Sequence, residues 1–550
     1  NLAELTDLTW EYFTAETNLT DGKYSRDNAA SEAKRRIQEL AGGVFDFTGR
    51  SSNVILQAVP EPYFNLIPVS VDEGINQLND ELDDFFDNLQ EGPKKVLRIT
   101  MGSGKTTDAI AKLKQHLEDK SHQNIEIYVP RHDLAEEYVE RLQEVNAHIV
   151  HVRPRTGGAD GKLPVLCQRT DYVKSLEQQG VGVYRNACRS GDGDRCEFYE
   201  SCDYIAQFDD PASVFDNSNI IRVFVHNYLA LRRNPLQDDP SLVIIDESFF
   251  NAMVEVHDLS FRDVREHICS DRHPDLGNEV IKSLVSGEPL LNALRGLNVR
   301  LGDLDEINLI PTGTGFDGVR SAALAGLSRG NTQGISQLVR QLKSELRQRD
   351  VSHPQSIFLH ANKDGNDVVR VCSRSDLQFD TSTPVLMLDA TADAKLIDGF
   401  FDQDVDLKRI DIKQNAIITQ VYNRTGSKAF WEQVSAPTEQ LITVLNTWAD
   451  FGEKPLCIGN KSLIERLQAH PNISPKVVFM NFVGLRGSNA AEDCSVVFIT
   501  GRNEPQSIEV DHKARGLFWD DDIPLQHDEF DDNQNLPLEL RGFLTSERFR

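Results

Sequence analysis

Residues 98–107, RITMGSGKTT, follow an apolar lead-in at Val96-Leu97, and together they predict a short buried strand that turns into a helix. Glycines at 102 and 104 let backbone N–H groups close around phosphate oxygens, and the positive end of the following helix faces the same point. Lys105 neutralises the outer phosphates and Thr106 offers its hydroxyl to Mg2+. Gly102, Ser103, Gly104, Lys105, Thr106 and Thr107 are therefore the candidate nucleotide-binding residues, with ATP and Mg2+ as the expected ligands. The usual loop has a further glycine that falls here on Ile99, so a shorter GxGKT form remains. An ordinary Gly-Ser-Gly turn before a lysine is the competing reading, and the downstream chain separates the two.

From about Pro93, short apolar runs alternate with amphipathic ones, which predicts a parallel sheet with crossover helices. After a helix over 107–117 come a strand over Ile125–Val129, the loop Pro130-Arg131-His132-Asp133-Leu134 and a helix over 135–145. Leu242-Val243-Ile244-Ile245 then runs into Asp246-Glu247, the form of a buried parallel strand whose carboxyl end faces a ligand crevice. Asp246 is placed to hold Mg2+, usually through its water, and Glu247 to orient and deprotonate the water that attacks the γ-phosphate. A strand merely capped by aspartate does not predict a glycine-lysine loop upstream. The two motifs together read as an NTPase.

A second alternating set follows the strand Val385–Leu388, which ends in Asp389-Ala390-Thr391-Ala392. It comprises strands near 417–422, 455–458, 477–480 and 495–500, with helices over 438–448 and 462–469. FVGLRGSN (482–489) lies between the last two strands, and Gly501-Arg502 directly follows the last. An arginine from the second lobe of a two-lobed motor stabilises transition-state charge on the γ-phosphate; Arg502 is the first candidate and Arg486 the second.

The 550 residues suffice for three or four domains, and 39% hydrophobic with 26% charged residues is a globular composition. No apolar run approaches the ~18 residues of a membrane span and no signal peptide is visible, so a cytoplasmic protein without a membrane partner is expected. The chain starts at Asn1 and stops at Arg550, so both ends are expected to be trimmed from something longer. A net charge of −28 argues against a nonspecific nucleic-acid coat protein but leaves room for a local basic groove. The acidic runs at Glu81–Asp87 and Asp520–Asp532 read as solvated surface. Of eight cysteines, Cys167, Cys188, Cys196 and Cys202 are clustered with gaps of 20, 7 and 5 residues, while Cys269, Cys372, Cys457 and Cys494 are scattered and read as small buried apolar residues. Four close thiolates suit either a [4Fe–4S] cluster or tetrahedral zinc, and zinc favours tighter Cys-x2-4-Cys pairs.

The order of motifs from about 93 to 515 resembles the XPD/DinG branch of superfamily 2 DNA helicases. GSGKT resembles motif I, the Pro130-Arg131-His132 loop motif Ia, Asp246-Glu247-Ser248-Phe249 motif II, Asp389-Ala390-Thr391-Ala392 motif III, FVGLRGSN motif V, and Gly501-Arg502 motif VI. The cysteine segment lies between motifs I and II, as does the family's iron–sulfur domain, and a helical segment lies between II and III, as does its arch. Residues 194–204 are similar to the family's last two ligands, and VHNYL (225–229) to its segment before motif II. The resemblance implies a [4Fe–4S] cluster on the four clustered cysteines, 5′ to 3′ polarity, and a motif Ia loop that touches the nucleic-acid backbone. Two motifs depart from the pattern. Motif II is DESF instead of DEAH, and Asn503-Glu504-Pro505-Gln506 follows Arg502 where the family has a second arginine. These variants look more like helicases of phages, plasmids and integrated elements than chromosomal repair enzymes.

The expected fold class is α/β, with two RecA-like parallel-sheet lobes, an inserted four-cysteine domain and an inserted, mostly helical arch-like domain. Expected boundaries are 1–92 for an N-terminal accessory region, 93–157 with 211–250 and a closing strand 384–393 for lobe 1, 158–210 for the cysteine insertion, 251–380 for the arch, and 394–550 for lobe 2. The expected function is an ATP-dependent helicase or translocase on single-stranded DNA, acting at duplex junctions. The rival is a nucleotide-gated DNA-binding clamp in a larger replication, defence or mobile-element complex, with zinc in place of iron–sulfur. A nucleoside kinase or transport ATPase is disfavoured by FVGLRGSN, Asp-Ala-Thr-Ala and the cysteine insertion.

Overall fold

The computed structural model describes residues 68–519, apart from 159–160, 162, 179–181, 191–192, 209–218, 232, 234–235, 308–328, 348–355, 363–364, 402–403, 414, 418, 420–429, 432–435, 483–484, 486–490 and 502–506. Residues 1–67, most of the expected N-terminal accessory region, therefore lie outside the described residues, as does nearly all of the strand expected at 417–422. The described chain divides into two units. The larger runs to Ile417 and is rejoined by Ser507–Leu517; the smaller lies between them.

In the larger unit, helix α1 (Val71–Asp87) starts at Ser70, whose hydroxyl accepts the Glu73 N–H. Strand β1 (Lys94–Ile99) leads through the glycine turn into α2 (Lys105–Glu118); β2 (Asn124–Val129), α3 (His132–Leu142) and β3 (Ala147–His151) follow. The cysteine segment contributes α4 (Thr170–Gln178) and several short turns before β4 (Asn219–Val225) and β5 (Leu242–Asp246). Next come β6 (Val254–Ser260), α5 (Leu276–Ser286), α6 (Arg329–Arg347), β7 (Ile357–Ala361), β8 (Asp367–Arg374), β9 (Val385–Leu388) and β10 (Asp406–Ile410). The smaller unit carries α7 (Ala436–Asp450), β11 (Pro455–Gly459), α8 (Lys461–Gln468), β12 (Val478–Asn481) and β13 (Val496–Thr500), and α9 (Ser507–Leu517) returns to the larger one.

The main sheet has seven strands in the order β10-β1-β9-β5-β2-β4-β3, all parallel. A parallel sheet covered on both faces needs apolar side chains on both, and the strands supply them with period two. Leu97, Ile99, Ile127, Leu242 and Ile244 enter one core with α1, α2 and α3. Their neighbours Val96, Tyr128, Val243 and Ile245 enter a second, together with Cys188, Tyr204, Ile205 and Phe208 of the cysteine segment. The cysteine segment is thus seated on the opposite face of the sheet from the helices that flank the phosphate loop. Truncating one of these aliphatic side chains to alanine costs about 2–5 kcal/mol.

Three boundaries differ from expectation. Residues 71–92 belong to the first sheet's core, because Leu78, Leu82 and Phe85 of α1 pack under β1. The acidic run Glu81–Asp87 is consequently more than solvated surface. Glu81 and Asp84 each accept from buried Lys95 Nζ at 2.6 Å, and Asp406 lies 3.3 Å from the same nitrogen. That last contact pins β10 as the edge strand beside β1, so 394–417 goes with lobe 1 and not with lobe 2. Third, the segment expected to be mostly helical also holds an antiparallel sheet, β6-β8-β7, on which α6 buries Ile335, Leu338 and Leu342. Helix α9 packs on the same sheet instead of extending lobe 2. Its approach requires glycine at 516, where a Cβ would sit 2.8 Å from Val254 Cγ1.

The smaller unit is a three-stranded parallel sheet, β12-β11-β13, with Leu445 of α7 and Leu463 and Leu467 of α8 in its core beside Cys457.

Candidate functional site

The carboxyl ends of β1, β9 and β5, adjacent in that order, build the candidate nucleotide site. After β1 the backbone takes left-handed conformations at Gly102 (φ 76°) and Gly104 (φ 84°), which L side chains rarely adopt. A Cβ at Gly102 would meet no atom within 4 Å, so the glycines serve the turn and leave the space before it open. Gly104 is the N-cap of α2 and supplies no side-chain cap, which leaves the first N–H groups of the helix to an anion. Ser103 Oγ is buried in this loop without a hydrogen-bond partner among the described residues.

The carboxylates of β5 meet this loop. Lys105 Nζ donates to Glu247 Oε1 at 2.7 Å, and Thr106 Oγ1 donates to Asp246 Oδ2 at 3.1 Å. Asp246 is 2% exposed. Burial pushes its carboxyl up to about 6, against the pull of the Lys105 cation. Its other oxygen, Oδ1, is buried and unpartnered among the described residues. A carboxylate oxygen with no donor, beside a threonine hydroxyl, fits a hard cation that takes oxygen ligands, so Asp246 and Thr106 suit Mg2+. Glu247 sits at φ 66°, an uncommon conformation for a residue with a side chain. Its N–H donates to Leu388 O of β9 at 2.9 Å, and the left-handed turn starts there.

The turn after β9 lies between loop and carboxylates. Asp389 Oδ1 accepts from the Thr391 N–H at 2.8 Å and from the Thr391 hydroxyl at 2.7 Å. Arg98 Nη1 donates to Ala392 O at 2.9 Å, which ties this turn to β1. At the end of β2, His132 Nδ1 lies 2.9 Å from His151 Nε2, and burial pushes His151 down to about 4.

Three contacts of this site were not legible in the sequence. The Tyr138 hydroxyl donates to Asp246 Oδ2 at 2.8 Å, Arg141 Nη1 donates to Thr107 Oγ1 at 3.1 Å, and His226 Nε2 lies 2.9 Å from Asp246 O. In AEEYVERL the tyrosine reads as one more apolar residue on a helix face, and only the pairing of β2 with β5 brings it to the aspartate. Arg486 and Arg502 lie outside the described residues.

Cys167, Cys188, Cys196 and Cys202 all line one small pocket, shared with Phe198, Tyr199 and Ile205. All four are free thiols. Burial pushes the Cys167 and Cys188 thiols up; at Cys188 the Arg155 cation opposes it, with Nη2 3.6 Å from Sγ and the guanidinium 3.6 Å from the Tyr204 ring. Among the described residues no group of three or more His, Cys, Asp or Glu side chains closes on the position of a single metal ion. The four cysteines share a cavity without converging on one point. Of the scattered four, Cys372 and Cys457 are buried, while Cys269 and Cys494 are half-buried.

No helix among the described residues is long and apolar enough to cross a membrane. No protein-family model matches the chain, and no curated protein matches it. Among solved structures, an XPD helicase is similar over 86% of this chain and 92% of its own, at 11% identity and a TM-score of 0.38. A DEAD box protein from the hyperthermophile Methanococcus jannaschii is similar over 82% of this chain and 87% of its own, at 10% identity and a TM-score of 0.24. Both likenesses are loose, and the functional reading rests on the site itself.

Proposed function

We propose that the chain is an ATP-hydrolysing motor that translocates on single-stranded DNA and separates duplexes. The observation that carries the NTPase reading is the meeting of two motifs far apart in sequence: Lys105 with Glu247 at 2.7 Å and Thr106 with Asp246 at 3.1 Å. Lys105 neutralises the β- and γ-phosphates, Thr106 and Asp246 hold Mg2+, and Glu247 takes a proton from the attacking water once nucleotide draws Lys105 away. Magnesium supplies charge stabilisation at the phosphates. Arg502, or failing it Arg486, supplies the second-lobe charge. DNA as the track and 5′ to 3′ polarity rest on the family resemblance alone.

A [4Fe–4S] cluster on Cys167, Cys188, Cys196 and Cys202 is the reading that their spacing in sequence and the family resemblance favour; the four line one pocket, and no three of them close on a single metal position. When bound, it holds together a segment made mostly of short turns. Zinc on the same thiolates is the alternative, and iron, sulfide and zinc analysis of anaerobically prepared protein separates the two.

Steady-state ATP hydrolysis with and without single-stranded DNA, in the natural protein and in Lys105→Ala, tests the motor. The expected result is a roughly tenfold stimulation by DNA, about 1.4 kcal/mol of barrier, abolished by the substitution. Turnover indifferent to DNA would overturn the motor in favour of a nucleotide-gated clamp. Unwinding only from a 3′ overhang would reverse the polarity.

A further inference from the structure

The smaller unit has one face of its sheet without a helix among the described residues. Its three strands are parallel, so side chains paired in register share a side. Cys457, Phe479 and Phe498 form one row, on the side where α7 and α8 pack. The rows before and after it, Val478-Leu456-Val497 and Met480-Ile458-Ile499, point the other way and are wholly apolar. They come into the open toward the edge strand β13. Leu456 and Ile458 are buried, whereas Val497 is 51% and Ile499 66% exposed.

A parallel sheet is ordinarily covered on both faces, because its crossover helices return over one or the other. Here the helix that follows β13 is engaged elsewhere, since α9 packs on the antiparallel sheet of the larger unit. A contiguous apolar block left open in this way marks a surface that something else covers.

The chain carries a segment suited to it. Residues 29–40, AASEAKRRIQEL, place Ala29, Ala33, Ile37 and Leu40 at helical spacing, with Glu32, Arg35 and Glu39 on the opposite side. Asn28 precedes the run as a helix-starting residue, and Gly42-Gly43 follow it as a stop. The far end of the segment is fixed by backbone bonds: the Val69 N–H donates to Asp411 O at 2.8 Å and the Lys413 N–H to Val69 O at 2.9 Å. These residues stand just ahead of Ile417, where the chain leaves the larger unit for the smaller one. The N-terminal segment therefore joins the body beside that crossing, and residues 41–67, at ~3.3 Å each, are ample tether to reach the smaller unit.

We propose that residues 29–40 form a helix that docks on the open face of the smaller unit's sheet, with Ile37 and Leu40 against Val497 and Ile499. The N-terminal region then completes the core of the smaller unit instead of forming a domain of its own. The docking does not depend on the chain being a motor.

The test uses the full chain with Ile499→Asp and, separately, Ile37→Asp, each checked for a cooperative melting transition and for mass by light scattering. Ile499 is already exposed, so a change confined to the surface there would alter nothing in a segment far away in sequence. With the helix docked, Ile499→Asp speeds protease cleavage within 1–67 roughly tenfold or more, the scale set by burying one isoleucine side chain. Ile37→Asp raises hydrogen exchange across Val496–Thr500 by a similar factor, and this second measurement decides if Ile499→Asp fails to fold. An unchanged rate in either folded variant overturns the docking. Acceleration within 520–550 instead would assign the face to the C-terminal segment, and a dimer split by Ile499→Asp would assign it to a second copy; both results overturn the proposal.

Discussion

The nucleotide site and the cysteine site are both seated on the seven-stranded sheet, yet they are held in different ways. At the candidate nucleotide site the key side chains sit at the ends of strands or on the helices that follow them. Backbone bonds from β1 to β9 and from β9 to β5 set the positions, and the polar groups largely satisfy one another before any ligand arrives. Cys188 ends a π-helical turn, and Cys167, Cys196 and Cys202 lie in loops, with no strand among them. Their sulfurs surround a cavity, and what packs the segment down is its aromatic side, Tyr204 and Phe208, against Tyr128 and Phe224. A sheet pre-organises the first site, whereas the second is built from turns and loops.

That contrast can be broken in order of expected effect. Lys105→Ala should lower ATP turnover by about 100-fold or more, the scale for removing a group that stabilises transition-state charge, while the melting temperature stays near that of the natural protein. A large loss of stability would show that the site is not held by the sheet alone. Glu247→Gln should cut hydrolysis by ~10²–10⁴-fold with nucleotide binding retained, read by single-turnover kinetics against binding of a fluorescent nucleotide. Loss of binding instead would reassign Glu247 to structure.

If the cysteines hold the proposed cluster, Cys196→Ser should lower the metal content and speed protease cleavage within 158–210 several-fold, with nucleotide affinity preserved. Parallel loss of nucleotide binding would mean that the two sites share one folding unit. The smallest effect concerns acid. Burial holds His151 neutral, down to about 4, whereas an unfolded imidazole titrates near ~6.5. The folded state therefore binds fewer protons in that window. The stability from a neutral His151 is complete above about 6.5 and is lost as pH falls toward 4, by at most about 3 kcal/mol. His151→Asn should flatten the acid limb of a denaturation series, and an unchanged limb would place the acid sensitivity elsewhere.

The phosphate loop and the Asp-Glu strand end were legible because each is a local device. Glycines, a lysine and a hydroxyl must be consecutive to wrap a phosphate, and four apolar residues before two acids are what a doubly covered strand requires. The alternation from Pro93 likewise announced the parallel sheet. Much of the boundary detail was hidden by edges and mixed faces. β10 reads Asp-Leu-Lys-Arg-Ile, mostly charged, because an edge strand has one side to solvent and takes its place through Lys95 and Asp406. Helix α1 hides Leu82 and Phe85 inside an acidic run, since a surface helix needs only one apolar stripe.

The sequence by itself determined the chemistry on offer: a glycine-lysine turn before a helix, a pair of carboxylates at a strand end, and four clustered thiols. The tertiary structure decided which of these meet. Asp246 acquires Thr106, Tyr138 and the carbonyl contact of His226 only because β5 pairs with β2 and lies one strand from β1, and Lys105 reaches Glu247 only across that same spacing. The physical reason is range. Turn and strand preferences act over a few neighbouring residues, whereas hydrogen bonds between residues a hundred positions apart exist only after sheet order and burial have brought them together.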